Sequence, residues 1–278
     1  MSKPTGILIA SHPRSGTHLL IDVIRRQFPA TRSWRWWGQP LDYLYFNIER
    51  STSANRHFDQ GFRKKILDRP DIPLMKTHYL ADWSSTWVEG ETAPLPDDVI
   101  EAVNTAAVLY IHRDPREVMV SYKQFLSAIR PDVAAMDLMA FMASDHWSGG
   151  DMIGWWQKHV EGWLGRPGVT ALSYRDLIKS PKETIERIGD VLGEAPHWRD
   201  PMLPAKVSTV SQTRRDRLFS LSPDSTGIVA DRGRFPTRPW REVMSQDDHE
   251  WLEQRVGGLM QQLGYPLMAA QSEPVGNE

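Results

Sequence analysis

Ile7-Leu8-Ile9-Ala10-Ser11-His12-Pro13-Arg14-Ser15-Gly16-Thr17-His18-Leu19-Leu20-Ile21-Asp22-Val23-Ile24 decides how this chain reads. Ile7 to Ala10 is an apolar run long enough for one buried parallel strand. Ser11 to Gly16 interrupts it with turn formers. From Thr17 the apolar residues Leu19, Leu20, Val23 and Ile24 recur at helical spacing. A strand, a tight polar loop and a helix together aim backbone N–H groups and the positive end of a helix at one spot, which suits an anion. Arg14 adds a forked cation there, and Ser15, Thr17 and His18 add side-chain donors. The loop lacks the Gly-x-x-x-x-Gly-Lys-Ser/Thr of an ATP-binding loop. Ser11 stands at the first Gly position, and Thr17 follows Gly16 directly with no Lys.

Further along, Ile72-Pro73-Leu74-Met75 reads as a short strand that delivers Lys76, Thr77 and His78 at its carboxyl end. Ligands of open α/β sheets gather at such ends, so this one is expected beside the first loop. Ala106 to Ile111 is the clearest buried strand. Asp114 and Pro115 then start a helix, with Arg113 before the cap and Ser121 about two turns in. An Arg at a strand end and a Ser on the next helix can grip a phosphate. Val169 to Ser173 is a strand, and Tyr174-Arg175-Asp176-Leu177 follows it. Ser180-Pro181-Lys182-Glu183 is read as the cap of a helix ending at Gly193. Ser33 to Phe46 is expected to be irregular or short helix, and Ala81 to Asn104 loop-like with a cap signal at Asp97-Asp98. Gln246 to Leu263 reads as an amphipathic helix and Leu267 to Glu278 as a frayed tail. The fold class expected is α/β: one domain over residues 1–278, with a central parallel β-sheet flanked by helices.

Four of these segments, in this order, resemble the cytosolic-type sulfotransferases. Pro13-Arg14-Ser15-Gly16-Thr17 is similar to their 5′-phosphosulfate loop, and Lys76-Thr77-His78 to their Lys-Thr-His. Arg113 with Ser121 keeps the spacing of their 3′-phosphate motif, and Tyr174-x-Asp176-Leu177 resembles Tyr-Glu-Asp-Leu. The resemblance implies sulfuryl transfer from 3′-phosphoadenosine 5′-phosphosulfate (PAPS), leaving 3′-phosphoadenosine 5′-phosphate (PAP), without a metal. It makes His78 the general base that takes the acceptor's proton, and Lys76 and Arg14 the cations that stabilise developing charge. The donor would be held by Arg14, Ser15, Gly16, Thr17 and His18 at one end and by Arg113 and Ser121 at the other, with Tyr174 at the adenine. Arg232 and Gly233 stand where the family's Arg-Lys-Gly is expected, although Asp231 occupies the first basic position. Leu19 stands where many members carry an adenine-stacking Trp, leaving Phe219 or Trp240 as replacements.

Net charge is −2, which offers no basic field for nucleic acid, and there is no Cys for disulfides, thiolate metal sites or a thiol nucleophile. No apolar run is long enough for a spanning helix, and a cytoplasmic protein is expected. His146 and Asp151 lack a third ligand at metal spacing. Trp34, Trp36, Trp37, Trp147, Trp155 and Trp156 favour a small aromatic or amphipathic acceptor with a hydroxyl. A sugar or amine acceptor is the alternative, and a P-loop nucleotide kinase or a non-catalytic nucleotide-binding module the different-class ones. A homodimer is left open, the family's dimer segment being only faintly echoed by Arg241, Ser245-Gln246 and Glu250.

Overall fold

The computed structural model describes residues 3–32, 43–50, 60–82, 95–146, 150–201, 203, 226 and 238–268. The chain divides into two compact units. The first is Met1–His112 with Gly162–Arg234, and the second Arg113–Glu161 with Phe235–Glu278.

The first unit carries the sheet. Its strands are β1 (Ile7–Ala10), β2 (Phe46–Asn47), β3 (Leu74–Thr77), β4 (Ala107–His112) and β5 (Val169–Ser173). They pair in parallel in the order β2-β3-β1-β4-β5. The helices are α1 (Thr17–Gln27), α2 (Gln60–Leu67), α3 (Asp97–Thr105), α8 (Tyr174–Lys179) and α9 (Pro181–Leu192). Alternation along the strands sorts the side chains by face. Ile7, Ile9, Leu74, Leu109, Ile111 and Leu172 join Leu20, Val23 and Ile24 of α1 and Ile185, Ile188 and Leu192 of α9 in one core. On the other face the ring of Tyr110 stacks on Trp163, 6.2 Å between centroids. Each such side chain, fully buried, contributes about 1.5–3 kcal/mol.

The expected β1 and β5 hold with the bounds read from the sequence, α1 starts at Thr17 as expected, and β4 is displaced by one residue. β3 covers Leu74–Thr77 where Ile72–Met75 was expected, so Lys76 and Thr77 lie within the strand. Three readings are corrected. Phe46–Asn47 is an edge strand, because its backbone pairs with Met75 and Lys76. Residues 97–105 are a helix whose N-cap is Pro96, so Asp97 and Asp98 lie in its first turn, where carboxylates favour the positive helix end. Ser180 stands at the start of α9 but makes no side-chain cap bond, since it also closes α8 with φ −129° and ψ 58°.

The second unit is helical: α4 (Pro115–Ser127), α5 (Pro131–Ala135), α6 (Leu138–Met142), the greater part of α7 (Met152–Leu164) and α10 (Gln246–Gln262). Asp114 caps α4 as expected, accepting from the Arg116 N–H at 3.0 Å, with Pro115 in the first turn. Buried Arg116 ties this unit together. It pairs with Asp114 at 2.7 Å and Glu253 at 3.4 Å, and donates to the Pro266 carbonyl at 2.9 Å. The tail expected from Leu267 is anchored at its start, where the Met268 N–H donates to Glu253 at 2.9 Å. Residues 269–278 lie outside the described ones.

Candidate functional site

The site grows from the turn between β1 and α1. The chain leaves β1 at Ala10 and needs two left-handed residues to enter the helix, Arg14 (φ 69°) and Gly16 (φ 104°). Glycine adopts this conformation without cost, and at Gly16 there is also no room for a side chain. A Cβ there would collide with the Tyr174 ring, meeting Cε2 at 3.0 Å, and would touch Ile111 Cδ1 at 3.5 Å. Gly16 is the N-cap of α1, and no side chain caps that end. The Ser15 hydroxyl is buried and has no hydrogen-bond partner among the described residues. An uncapped helix start beside an unpaired buried hydroxyl is the condition an anion would satisfy. Thr17 and Ser11 share a hydrogen bond of 2.5 Å between their hydroxyls. His18, read as a donor-contacting residue, has its Nε2 3.0 Å from the Tyr45 hydroxyl.

β3 runs beside β1, with Ile9 opposite Lys76 and Ala10 opposite Thr77, so its carboxyl end arrives at the same loop. His78 Nδ1 lies 2.6 Å from the Ser11 carbonyl oxygen. A carbonyl only accepts, so Nδ1 carries the hydrogen, and in the neutral ring the lone pair is on Nε2. That tautomer is the one a general base requires. Lys76 is buried; its ammonium reaches Glu49 Oε2 and Asn47 Oδ1, each at 3.4 Å. Tyr174 follows β5 directly and lays its ring against Gly16. Thus the Arg14–His18 turn, His78 and Tyr174 come together through Ser11 and Gly16 at the carboxyl ends of parallel strands, while the Lys76 ammonium is directed to Glu49 and Asn47 on the β2 side.

Glu49 escaped the sequence reading. No motif marks it, and the only signal was its place two residues beyond Asn47, legible once Phe46–Asn47 is seen as a strand.

Arg113 and Ser121 belong to the second unit. Arg113 Nε donates to Glu117 Oε2 at 2.6 Å. Ser121 is buried on α4, and positions 113, 117 and 121 follow one another at four-residue steps. Trp240 is corrected as an adenine-stacking candidate. Its ring is already engaged by the guanidiniums of Arg116 and Arg241, 4.5 and 4.1 Å from the centroid. Trp155 and Trp156 are buried in the core of the second unit and present no surface wall. Trp34, Trp36, Trp37, Trp147, Phe219, Arg232 and Gly233 lie outside the described residues. Among the described residues, no group of three or more His, Cys, Asp or Glu could hold a metal ion, and no helix is long and apolar enough to cross a membrane.

The family model described as the sulfotransferase domain matches residues 91–257. The 3-alpha-hydroxysteroid sulfotransferase of Cavia porcellus is 33% identical over 125 residues, 42% of each chain. Sulfotransferase 1C2 of Oryctolagus cuniculus is 25% identical over 228 residues, 76% of this chain and 65% of its own. The chain thus spans between 42% and 65% of the length of these relatives. Among solved structures, a mouse sulfotransferase complexed with PAP superposes with TM-score 0.54 at 16% identity, covering 92% of this chain and 84% of that one. A retinol dehydratase with androsterone and inactive cofactor PAP gives 0.50 at 18% identity, covering 94% and 82%. These two likenesses establish the fold.

Proposed function

This chain belongs to the sulfotransferase domain family, and we propose that it transfers a sulfuryl group from PAPS to a hydroxyl of a small organic acceptor. The observation that carries this reading is the meeting of His78, in its Nδ1–H tautomer on the Ser11 carbonyl, with the uncapped Ser15–Thr17 turn.

The donor supplies an activated sulfuryl group; the residues here do the rest. His78 Nε2 takes the acceptor's proton, and the ring keeps its orientation because Nδ1–H stays on Ser11. Backbone N–H groups at the start of α1 and the Ser15 hydroxyl hold the 5′ end. Arg14 acts as a fixed charge clamp, since a guanidinium does not give up its proton. Lys76 offers a positive charge where negative charge develops, a stabilisation strongest in a site shielded from water. Tyr174 packs beside the turn, which supports a place at the adenine. Arg113 and Ser121 are our choice for the 3′-phosphate, and Arg232 and Gly233 complete it. We assign the two units to one working domain in the cytoplasm, with PAP released and no metal required. Relatives named for hydroxysteroids support a small alcohol as acceptor.

The test is a transfer assay with labelled donor, without ATP or magnesium, against a panel of phenols, hydroxysteroids, sugars and amines. Label moving onto a hydroxyl compound is expected. Magnesium-dependent phosphorylation from ATP, with no sulfuryl transfer, would overturn the reading.

A further inference from the structure

Glu49 lies in the short helical turn Ile48–Arg50 that follows β2, and its carboxylate gathers three successive groups of the Lys76-Thr77-His78 segment. Oε2 pairs with the Lys76 ammonium at 3.4 Å. Oε1 accepts from the Thr77 hydroxyl at 2.9 Å and from the His78 backbone N–H. Thr77 in turn accepts the Tyr79 N–H at 3.0 Å, closing the turn that leaves β3. Side chains of consecutive strand residues alternate between faces, so one ordinary neighbour does not meet all three. Glu49 does so because β2 pairs Asn47 with Lys76, which sets position 49 just past the end of β3.

We infer that Glu49 is a positioning residue of the transfer reaction, acting through Lys76 and His78; this rests on the sulfuryl-transfer reading above. The Lys76 side chain is 6% exposed and that of Glu49 22%. A buried ammonium without a partner is costly, so the carboxylate fixes where that charge sits. The same group anchors the backbone from which the His78 ring projects onto Ser11. A misplacement of about 1 Å in such an arrangement can cost on the order of a hundredfold in rate. Glu49 is also an anion near a site for an anionic donor, so it opposes donor binding while it aligns the machinery. Alignment and affinity therefore separate, which a purely structural carboxylate would not cause.

The experiment compares the full-length protein with Glu49→Gln, measuring kcat and donor KM in the transfer assay and PAP affinity by calorimetry. The amide of Glu49→Gln retains an acceptor for Thr77 and His78 and loses the negative charge that faces the Lys76 ammonium. We expect kcat to fall roughly 10- to 100-fold. Donor KM is expected not to rise, and PAP is expected to bind as tightly or a few-fold more tightly. Thr77→Val, which removes a single arm, is expected to lower kcat by roughly 3- to 10-fold with unchanged PAP affinity. Unchanged kcat in Glu49→Gln overturns the inference, as does a parallel loss of PAP affinity and kcat in both variants. A wild-type protein that neither binds PAP nor transfers sulfuryl groups would defeat the reading beneath instead.

Discussion

The Ser11–Gly16 turn of the first unit and the Arg116–Trp240 cluster of the second are built from similar groups, yet they treat polar atoms in opposite ways. Around Arg116, two carboxylates, a carbonyl and an indole face answer the guanidinium, and Trp240 takes a second guanidinium from Arg241. Charge there is spent on holding helices together. At the turn, the helix start lacks a side-chain cap, and the Ser15 hydroxyl is buried without a partner among the described residues. A folded chain keeps such unmet groups where a ligand meets them. Arg116 has partners in Asp114, Glu253, Pro266 and Trp240, whereas unmet buried atoms such as His249 Nδ1, on a ring edge-on to Trp240, occur outside the turn as well. It is the unmet Ser15 hydroxyl together with an uncapped helix start that marks the site.

That contrast breaks most sharply under two substitutions. His78→Ala should lower transfer by roughly 10²–10⁴-fold while leaving PAP affinity within about threefold, because a general base acts on the acceptor and not on the donor's phosphates. Arg116→Ala should instead cost about 3–5 kcal/mol of stability in urea melts, since it leaves the buried Asp114 carboxylate and the half-buried Glu253 without their counter-charge. If His78→Ala unfolds the protein or keeps its turnover, the division of roles fails.

Acid sharpens the comparison next. Burial pushes the His112 imidazole, at the end of β4, down to about 4; nearby Asp176 opposes this and Arg175 adds to it. Burial alone also pushes His146, stacked on Trp155 in the second unit, down to about 4. The unfolded chain takes up these protons near pH ~6.5 and the folded chain does not, so stability is lost as pH falls from ~6.5 towards 4. His112 alone accounts for about 3 kcal/mol of that loss, and His112→Asn should flatten the profile. Equal stability at pH 7 and pH 5 would contradict this burial.

The smallest effect on stability is expected at Gly16→Ala. Its φ of 104° and the Tyr174 ring both resist a Cβ. About 1–3 kcal/mol of stability should be lost together with PAP binding, read by thermal unfolding and calorimetry. Full PAP affinity in this variant would show that the turn holds nothing.

Much of this was legible in the residues. Ile7–Ala10, the break at Ser11–Gly16 and the helix from Thr17 follow from local pattern alone, and Asp114-Pro115 announced α4 by its cap. Lys76 and His78 could be placed beside the turn because parallel strands deliver their ends to one edge. Glu49 could not. Its importance is created by the pairing of a two-residue strand, too short for any periodicity to betray. Trp240, offered as a replacement for the stacking aromatic missing at Leu19, misled for a related reason: Arg116, more than a hundred positions earlier, is found on the same ring.

The proposed site takes an adenosine that carries phosphate at both ends. Thermal unfolding of the wild-type protein with PAP, ATP or AMP tests it most directly. A ligand at a hundredfold excess over its Kd adds about 2.7 kcal/mol, which for a chain of this size raises Tm by roughly 5–10 °C. PAP is expected to give that rise, with little from ATP or AMP; a rise with ATP and none with PAP would contradict it.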